Sequence, residues 1–229
     1  TSNPFGAIYV YLDGNATTWT DTEAENGVKY RYSVVACKDS YTSAQKEHVK
    51  VFRLDRIQFE SVTQITTGIT LTWEKNEATG KYFIYRYRRV DGLWDEQYRK
   101  VITDKDVTSW TDTAVVTGET YRYIIVCNKD GLNSKASDDV RLVKIANTTL
   151  SLSAETGRNK VTIKANAQAT SYGIQRRVAD GEWETIVEST TELVYWDTDV
   201  VAGTAYEYRA VATNGTDTCY GKAYSVTAR

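Results

Sequence analysis

The chain has no methionine, a single proline, a single histidine and only three cysteines among its 229 residues. The one histidine, His48 in "QKEHVKV", stands among lysines and glutamates on an expected strand, so nucleophile triads that need an imidazole are excluded. Cys37, Cys127 and Cys219 are odd in number and sit at unrelated offsets from the tyrosine pairs described below, which reads as three free thiols and not as a disulfide framework or zinc site. No run approaches the roughly 18 apolar residues of a membrane span, and the first residues lack a charged-then-apolar leader. If the protein is exported, its signal has been removed or lies further upstream. Charge of one sign is missing too: 28 basic and 30 acidic residues leave a formal −2, no field that would collect nucleic acid or an anionic membrane, and neither nucleic-acid binding nor membrane insertion is expected. There is no GxxxxGKS/T phosphate loop and no GxGxxG fingerprint, and no cleft is expected that would hold two carboxylates roughly 5 to 10 Å apart for glycoside hydrolysis. Neither catalysis, a cofactor nor a metal is expected.

What is present is β-forming. Seventeen tyrosines and six tryptophans, beside many threonines and valines, suit a pleated, half-buried surface. The segment "TTWTDTEAENGVKYRY" (17–32) returns as "TSWTDTAVVTGETYRY" (108–123) and, blurred, as "LVYWDTDVVAGTAYEY" (193–208). The three share an aromatic (Trp19, Trp110, Tyr195), an acid (Asp21, Asp112, Asp197), a glycine (Gly27, Gly118, Gly203) and two tyrosines (Tyr30 and Tyr32, Tyr121 and Tyr123, Tyr206 and Tyr208). Their spacings of 91 and 85 residues suit whole small domains in tandem and are too long for solenoid turns.

The middle repeat supplies a strand near "RIQFESV", then "GITLTW", "KYFIYRYRR", the turn pair Asp91-Gly92, "EQYRKVIT", "TSWTD", "TYRYIIVC" and "KASDDVRLVK". About seven short alternating strands with turn signals between them indicate an antiparallel two-sheet sandwich. The string "TLTW", "YFIYR", "DG", "TSWTDTAVVTGETYRYIIV" resembles a fibronectin type III domain, of the kind found in tandem on large bacterial extracellular proteins. The third repeat is similar through "VTIKA", "YGIQRR", "DGEW" and "TAYEYRAVA", with Ala165 expected at the place of Trp73. The resemblance implies an all-β chain of tandem immunoglobulin-like sandwiches that space, display and bind.

Three units are expected, 1–54, 55–145 and 146–229. They are joined by short linkers near 53–56 and 144–147 with no proline or glycine-serine run, giving an elongated rod with small contacts between units. Offset by 91, "AIYVYL" (7–12) falls opposite "YRKVIT", so unit 1 is expected to hold the last four strands of a sandwich and to lack the first three. The expectation is a fragment whose natural chain continues upstream with a segment resembling "GITLTWEKNEATGKYFIYRYRR".

Within this frame the repeated aspartates read as turn caps, with Asp197 and Asp199 the best remaining pair for a cation. Tyr30, Tyr121 and Tyr206, each three residues after the repeated glycine, are expected to be tyrosine corners, returning the hydroxyl to the loop backbone. Period-two alternation turns Tyr121, Tyr123, Ile125, Cys127, Tyr82 and Ile84 inward. Phe83, Tyr85, Tyr87, Ile124 and Val126 then make an apolar outer face on unit 2 that units 1 and 3 do not share, a candidate contact for other protein chains or neighbouring domains. The alternative is that Arg86, Arg88, Arg99 and Lys100 lay their stems over these rings. Trp94 and Trp183, just beyond the Asp-Gly turns, are expected at the rim. Trp196, displaced outward because Tyr195 takes the core position, could stack on a sugar or be covered by a neighbouring strand. Two functions follow: a structural or adhesive module of a bacterial surface protein or phage particle, extracellular or in a virion, or a carbohydrate-binding accessory region of an extracellular polysaccharide-active enzyme.

Overall fold

Alternating aromatic and β-branched stretches give strands throughout, and the computed structural model, which describes residues 9–44 and 47–229, holds only strands as regular elements. Unit 1 contributes β1 (Lys29–Tyr32), β2 (Cys37–Lys38), β3 (Tyr41–Thr42) and β4 (Val49–Phe52). β1 pairs antiparallel with β4, placing Tyr30 opposite Val51 and Tyr32 opposite Val49, and β2 with β3 makes a short hairpin. Of the strand expected over 7–12, the described part is not formed, since Tyr9, Val10, Tyr11 and Leu12 are exposed coil, and Ala7 and Ile8 lie outside the described residues. Its counterpart in unit 2 is held by the long central strand β7, and no described residue of unit 1 offers the segment an equivalent backbone to pair with.

Unit 2 comprises β5 (Phe59–Ile65), β6 (Gly68–Trp73), β7 (Lys81–Val90), β8 (Leu93–Ile102), β9 (Ser109–Asp112), β10 (Thr120–Lys129), β11 (Leu132–Asn133) and β12 (Val140–Val143). One sheet runs β5-β6-β9 and the facing sheet β8-β7-β10-β12, with β11 folded back on the end of β10. The hairpin between β7 and β8 turns at Asp91 and Gly92, with φ of 49° and 82°, the left-handed pair that a right-twisted two-residue hairpin requires. Between the sheets lie Trp73, Tyr82, Tyr123, Ile69, Leu71, Ile125 and Cys127, none of them reached by solvent.

Unit 3 repeats the plan with β13 (Leu150–Glu155), β14 (Arg158–Ile163), β15 (Ser171–Val178), β16 (Glu184–Thr190), β17 (Val194–Asp197), β18 (Ala205–Thr213), β19 (Thr218–Tyr220) and β20 (Tyr224–Thr227). Its sheets are β13-β14-β17 and β16-β15-β18-β20, around a separate core built on Ile145, Val161, Ile174, Tyr208 and Ala210. Register corrects one expectation. Trp73 pairs with Phe59 and Ile163 with Leu150, so the counterpart of Trp73 is buried Ile163, whereas Ala165 lies past the strand end, exposed. The layer keeps a large aliphatic group and loses only the indole.

Units 2 and 3 are thus antiparallel sandwiches of three strands against four, with one core each. Among the described residues one parallel pairing, Cys219 of β19 with Gln64 of β5, carries backbone pairing from unit 2 to unit 3. β6 begins at glycine for a steric reason: a Cβ on Gly68 would lie 2.1 Å from the carbonyl oxygen of Asp112. Because the neighbour is backbone, it cannot rotate away. Gly68→Ala is expected to destabilise unit 2 by at least the about 1–3 kcal/mol of ordinary overpacking, seen as a lower urea midpoint for unit 2 with the unit 3 transition unmoved.

Candidate interaction surfaces and the repeated clamp

The repeated aspartate closes each sandwich. Asp112, the last residue of β9, accepts a hydrogen bond from Tyr123 Oη at 2.9 Å and one from the Ala114 amide at 3.0 Å, and both its oxygens lie 2.9 Å from Arg86 Nη1. Asp197 accepts from Tyr208 Oη at 2.6 Å and from the Asp199 amide at 3.1 Å, with Arg176 Nη1 3.0 Å from both oxygens. Register explains the coincidence, since Arg86 lies opposite Tyr123 and Arg176 opposite Tyr208 across the central strand pair. The carboxylates are only 1% and 2% exposed. Burial, and then the neighbouring carboxylate, pushes the Tyr123 and Tyr208 phenols well above their ordinary range. In unit 1, Tyr32 Oη donates to Asp21 at 2.7 Å and the Glu23 and Ala24 amides cap the same carboxylate at 3.0 and 3.1 Å, but among the described residues no arginine bridges it. The bond from Tyr32 lowers the Asp21 carboxyl and raises the Tyr32 phenol to about 12. Among the described residues no three acidic, histidine or cysteine side chains converge on a point. Asp199 meets Arg176 Nη2 at 3.2 Å.

The first tyrosine of each pair returns to its own loop. The Glu25, Val116 and Val201 amides donate to Tyr30, Tyr121 and Tyr206 Oη at 2.7, 2.8 and 3.1 Å. The intervening glycine takes φ of 84°, 85° and 82° at Gly27, Gly118 and Gly203, the left-handed region that a side chain resists. Its amide is then free to bond the chain leaving the unit, with Arg53, Lys144 and Ala228 carbonyls as partners at 2.9, 2.8 and 2.9 Å. The cysteines are free, and burial pushes the Cys127 thiol up to about 11.

On the outer sheet of unit 2, Phe83 lies opposite Val101 and Val126, Tyr85 opposite Arg99 and Ile124, and Tyr87 opposite Arg122 and Glu96. Phe83 and Tyr85 meet edge to face at 6.5 Å. These rings are half-buried, and Val126 is buried. The cover is only partly the expected one. Arg99 lies 5.0 Å and Lys81 5.3 Å from the Phe83 ring, and Arg122 sits 4.2 Å from Tyr87 and 5.2 Å from Trp94. Arg86 instead turns inward to the clamp, Arg88 reaches Glu119 and Lys100 lies over Trp110, because each occupies the opposite phase of its strand. In unit 3 the places of Tyr87 and Arg122 are taken by Arg177 and Glu207, which pair at 2.5 Å, while the Arg177 and Arg209 guanidinium groups lie 4.6 and 4.3 Å from the Trp183 ring. Trp196 is half-buried beneath Arg158, at 3.9 Å, and Lys160, at 5.2 Å.

The joints use residues that no motif pointed to. Gln64, 2% exposed, donates to the Val143 carbonyl and accepts from the Ile145 amide, both at 2.8 Å. Asp217 accepts from the Val143 amide at 2.8 Å, and the buried Lys144 ammonium donates to the Ile145 carbonyl at 2.9 Å. Asn76 and Asn166 are equivalent. Each caps its own loop and extends its amide to a linker carbonyl, Asp55 at 2.8 Å and Ala146 at 3.2 Å. The signal for these two was legible, an asparagine six residues before Tyr82 and Tyr172. Gln64 has no such signal, as Ala154 holds its place in unit 3.

No protein-family model and no curated protein matches the chain. Among solved structures it is similar to the crystal structure of the FN1–FN3 domains of chicken CNTN1, at 11% identity and TM-score 0.39 over 89% of this chain and 78% of that one. It is also similar to a segment of two fibronectin type III domains from chicken tenascin, at 17% identity and TM-score 0.32 over 75% of this chain and 96% of that one.

Two outcomes test the clamp and corners. Unfolded tyrosines ionise near pH 10 while Tyr123 and Tyr208 keep their protons, so stability is full below about pH 10 and falls as pH rises above it. A tyrosinate titration should show these two ionising only with unfolding. Tyr121→Ala is expected to cost about 3–5 kcal/mol and Tyr121→Phe nearer about 1 kcal/mol in urea denaturation.

Proposed function

We propose that this chain, a tandem of fibronectin type III-like sandwiches, works as a non-catalytic spacer and interaction module of a larger extracellular protein on a bacterial surface or phage particle. The observation that carries the reading is the joint between units 2 and 3. A hinge needs linker backbone free to rotate, whereas here the Val143 and Ile145 polar groups are bound by Gln64 and Asp217, one from each unit. Bonding on both sides supports a stiff connection that transmits orientation along the chain. The outer face of unit 2, with Phe83, Tyr85, Tyr87 and Ile124 around the buried Val126, is the proposed contact for another protein chain or a neighbouring domain, since its rings are left only partly covered while unit 3 substitutes charged pairs there. A carbohydrate-binding role would draw on Trp196, but the guanidinium of Arg158 lies 3.9 Å from that ring and occupies a stacking face, so the protein-contact reading is preferred.

Residual dipolar couplings measured separately on units 2 and 3 should report one shared alignment tensor in the native chain and two differing tensors in Gln64→Ala. Distinct tensors in the native chain would overturn the spacer reading. For the contact face, Phe83→Ser with Ile124→Thr should abolish partner binding while unit 2 still unfolds cooperatively.

A further inference from the structure

One edge strand of unit 2 is complementary to itself when reversed. β8 closes the four-stranded sheet on one side: it pairs with β7, and among the described residues no strand lies against its other edge. Such an edge offers unpaired backbone groups as a template for one more strand, and β8 has no proline to block it. From Leu93 to Ile102 it reads Leu-Trp-Asp-Glu-Gln-Tyr-Arg-Lys-Val-Ile. Laid antiparallel on a second copy about its midpoint, Asp95 meets Lys100 and Glu96 meets Arg99. In the same register Trp94 meets Val101 and Leu93 meets Ile102.

Opposed residues of an antiparallel pair must also lie on the same side of the sheet. In an unbroken strand Glu96 and Arg99, an odd number of residues apart, would lie on opposite sides. The bulge in β8 removes the conflict: Tyr98 lies opposite Arg86 and Glu96 opposite Tyr87, with Gln97 the extra residue. Trp94, Glu96, Arg99 and Val101 therefore all lie opposite outer-face positions of β7, while Asp95 and Lys100 share the inner phase, opposite Arg88 and Ile84. Among the described residues none of the four charged side chains forms an ion pair. Arg99 and Lys100 lie over the Phe83 and Trp110 rings, and Asp95 accepts from Gln97 at 2.6 Å. The equivalent edge of unit 3, β16, has Glu184 and Glu188 and no basic residue, so the repeat plan does not require this pattern.

We propose that β8 is a self-association site, at which two copies of this chain pair antiparallel, edge to edge, about a two-fold axis through the bulge. The four-stranded sheets of the two unit 2 sandwiches then become one continuous sheet. A two-fold contact repeats every interaction, so the Asp95–Lys100 and Glu96–Arg99 pairs each form twice. Opposite charges directly across two strands stabilise the pairing and like charges oppose it. Slipping the register by two residues opposes no acid to a base, which leaves one favoured alignment. The contact uses the edge of the sheet and not its aromatic outer face, and its failure would leave the spacer reading standing.

Sedimentation velocity on the full chain, with amide exchange to map the contact, is the test. The native chain should pass from monomer to dimer as its concentration rises toward about 1 mM, the range of a small edge contact, and exchange within 93–102 should slow in step. Asp95→Lys with Glu96→Lys, and separately Arg99→Glu with Lys100→Glu, should each weaken self-association at least about hundredfold, because every charged pair becomes like-charged. Mixed in equal amounts, the two variants should associate again as a heterodimer, since each supplies the charge that the other lacks. The mixing step separates a lost contact from a lost fold, because a misfolded strand would not be rescued. A native chain that stays monomeric, a dimer indifferent to either charge reversal, protection mapping outside 93–102, or a mixture that does not associate would overturn the proposal.

Discussion

A carboxylate buried at the end of one sheet has to be answered from the other sheet, and this demand organises each complete sandwich. An ionised aspartate that solvent barely reaches carries a desolvation penalty of several kcal/mol, which only close hydrogen-bonding partners and an opposite charge offset. Asp112 finds them on β10 through Tyr123 and on β7 through Arg86, and Asp197 finds them through Tyr208 and Arg176. The three side chains therefore tie the edge strand of the three-stranded sheet to the two central strands of the other. The repeated aspartate, glycine and tyrosines are the parts of one closing device, and they carry scaffold rather than chemistry.

The same device orders what lies around it. The loop between aspartate and tyrosine is gathered by the corner hydroxyl, which leaves the glycine amide to bind the chain departing from the unit. At the unit 2–3 junction that departing chain is Lys144, whose neighbours are taken by Gln64 and Asp217. Core closure, loop shape and the angle between units are thus one connected set of bonds. Among the described residues of unit 1, the aspartate keeps its tyrosine partner, and no arginine bridges the pair.

Much of this was legible because period-two alternation and left-handed turns are local. The phases of β7 and β10, the turn at Asp91-Gly92 and the spacing of Tyr121 from Gly118 need only neighbouring residues. What escaped depended on pairing between distant strands. Arg86 reads like its neighbours Arg88 and Arg89 as a solvated cation until register sets it opposite Tyr123 and over Asp112. The misplacement of Ala165 has the same origin, since matching by motif spacing overlooks that Ile163, two residues earlier, pairs with Leu150. The strand anticipated over 7–12 was read from similarity to unit 2, but strand formation depends on a partner. Gln64 was illegible for a further reason: its role belongs to one joint, and no repeat displays it twice.

The central claim is that aspartate and arginine act as one unit in closing the sandwich, and a double-mutant cycle on Asp112→Asn and Arg86→Met measures this most directly. The account predicts non-additive losses, with a coupling energy toward the upper end of the about 0.5–3 kcal/mol seen for residues in direct contact, because either single change strands a buried partner. Additive losses, or a double mutant no more stable than the sum of the singles implies, would contradict it.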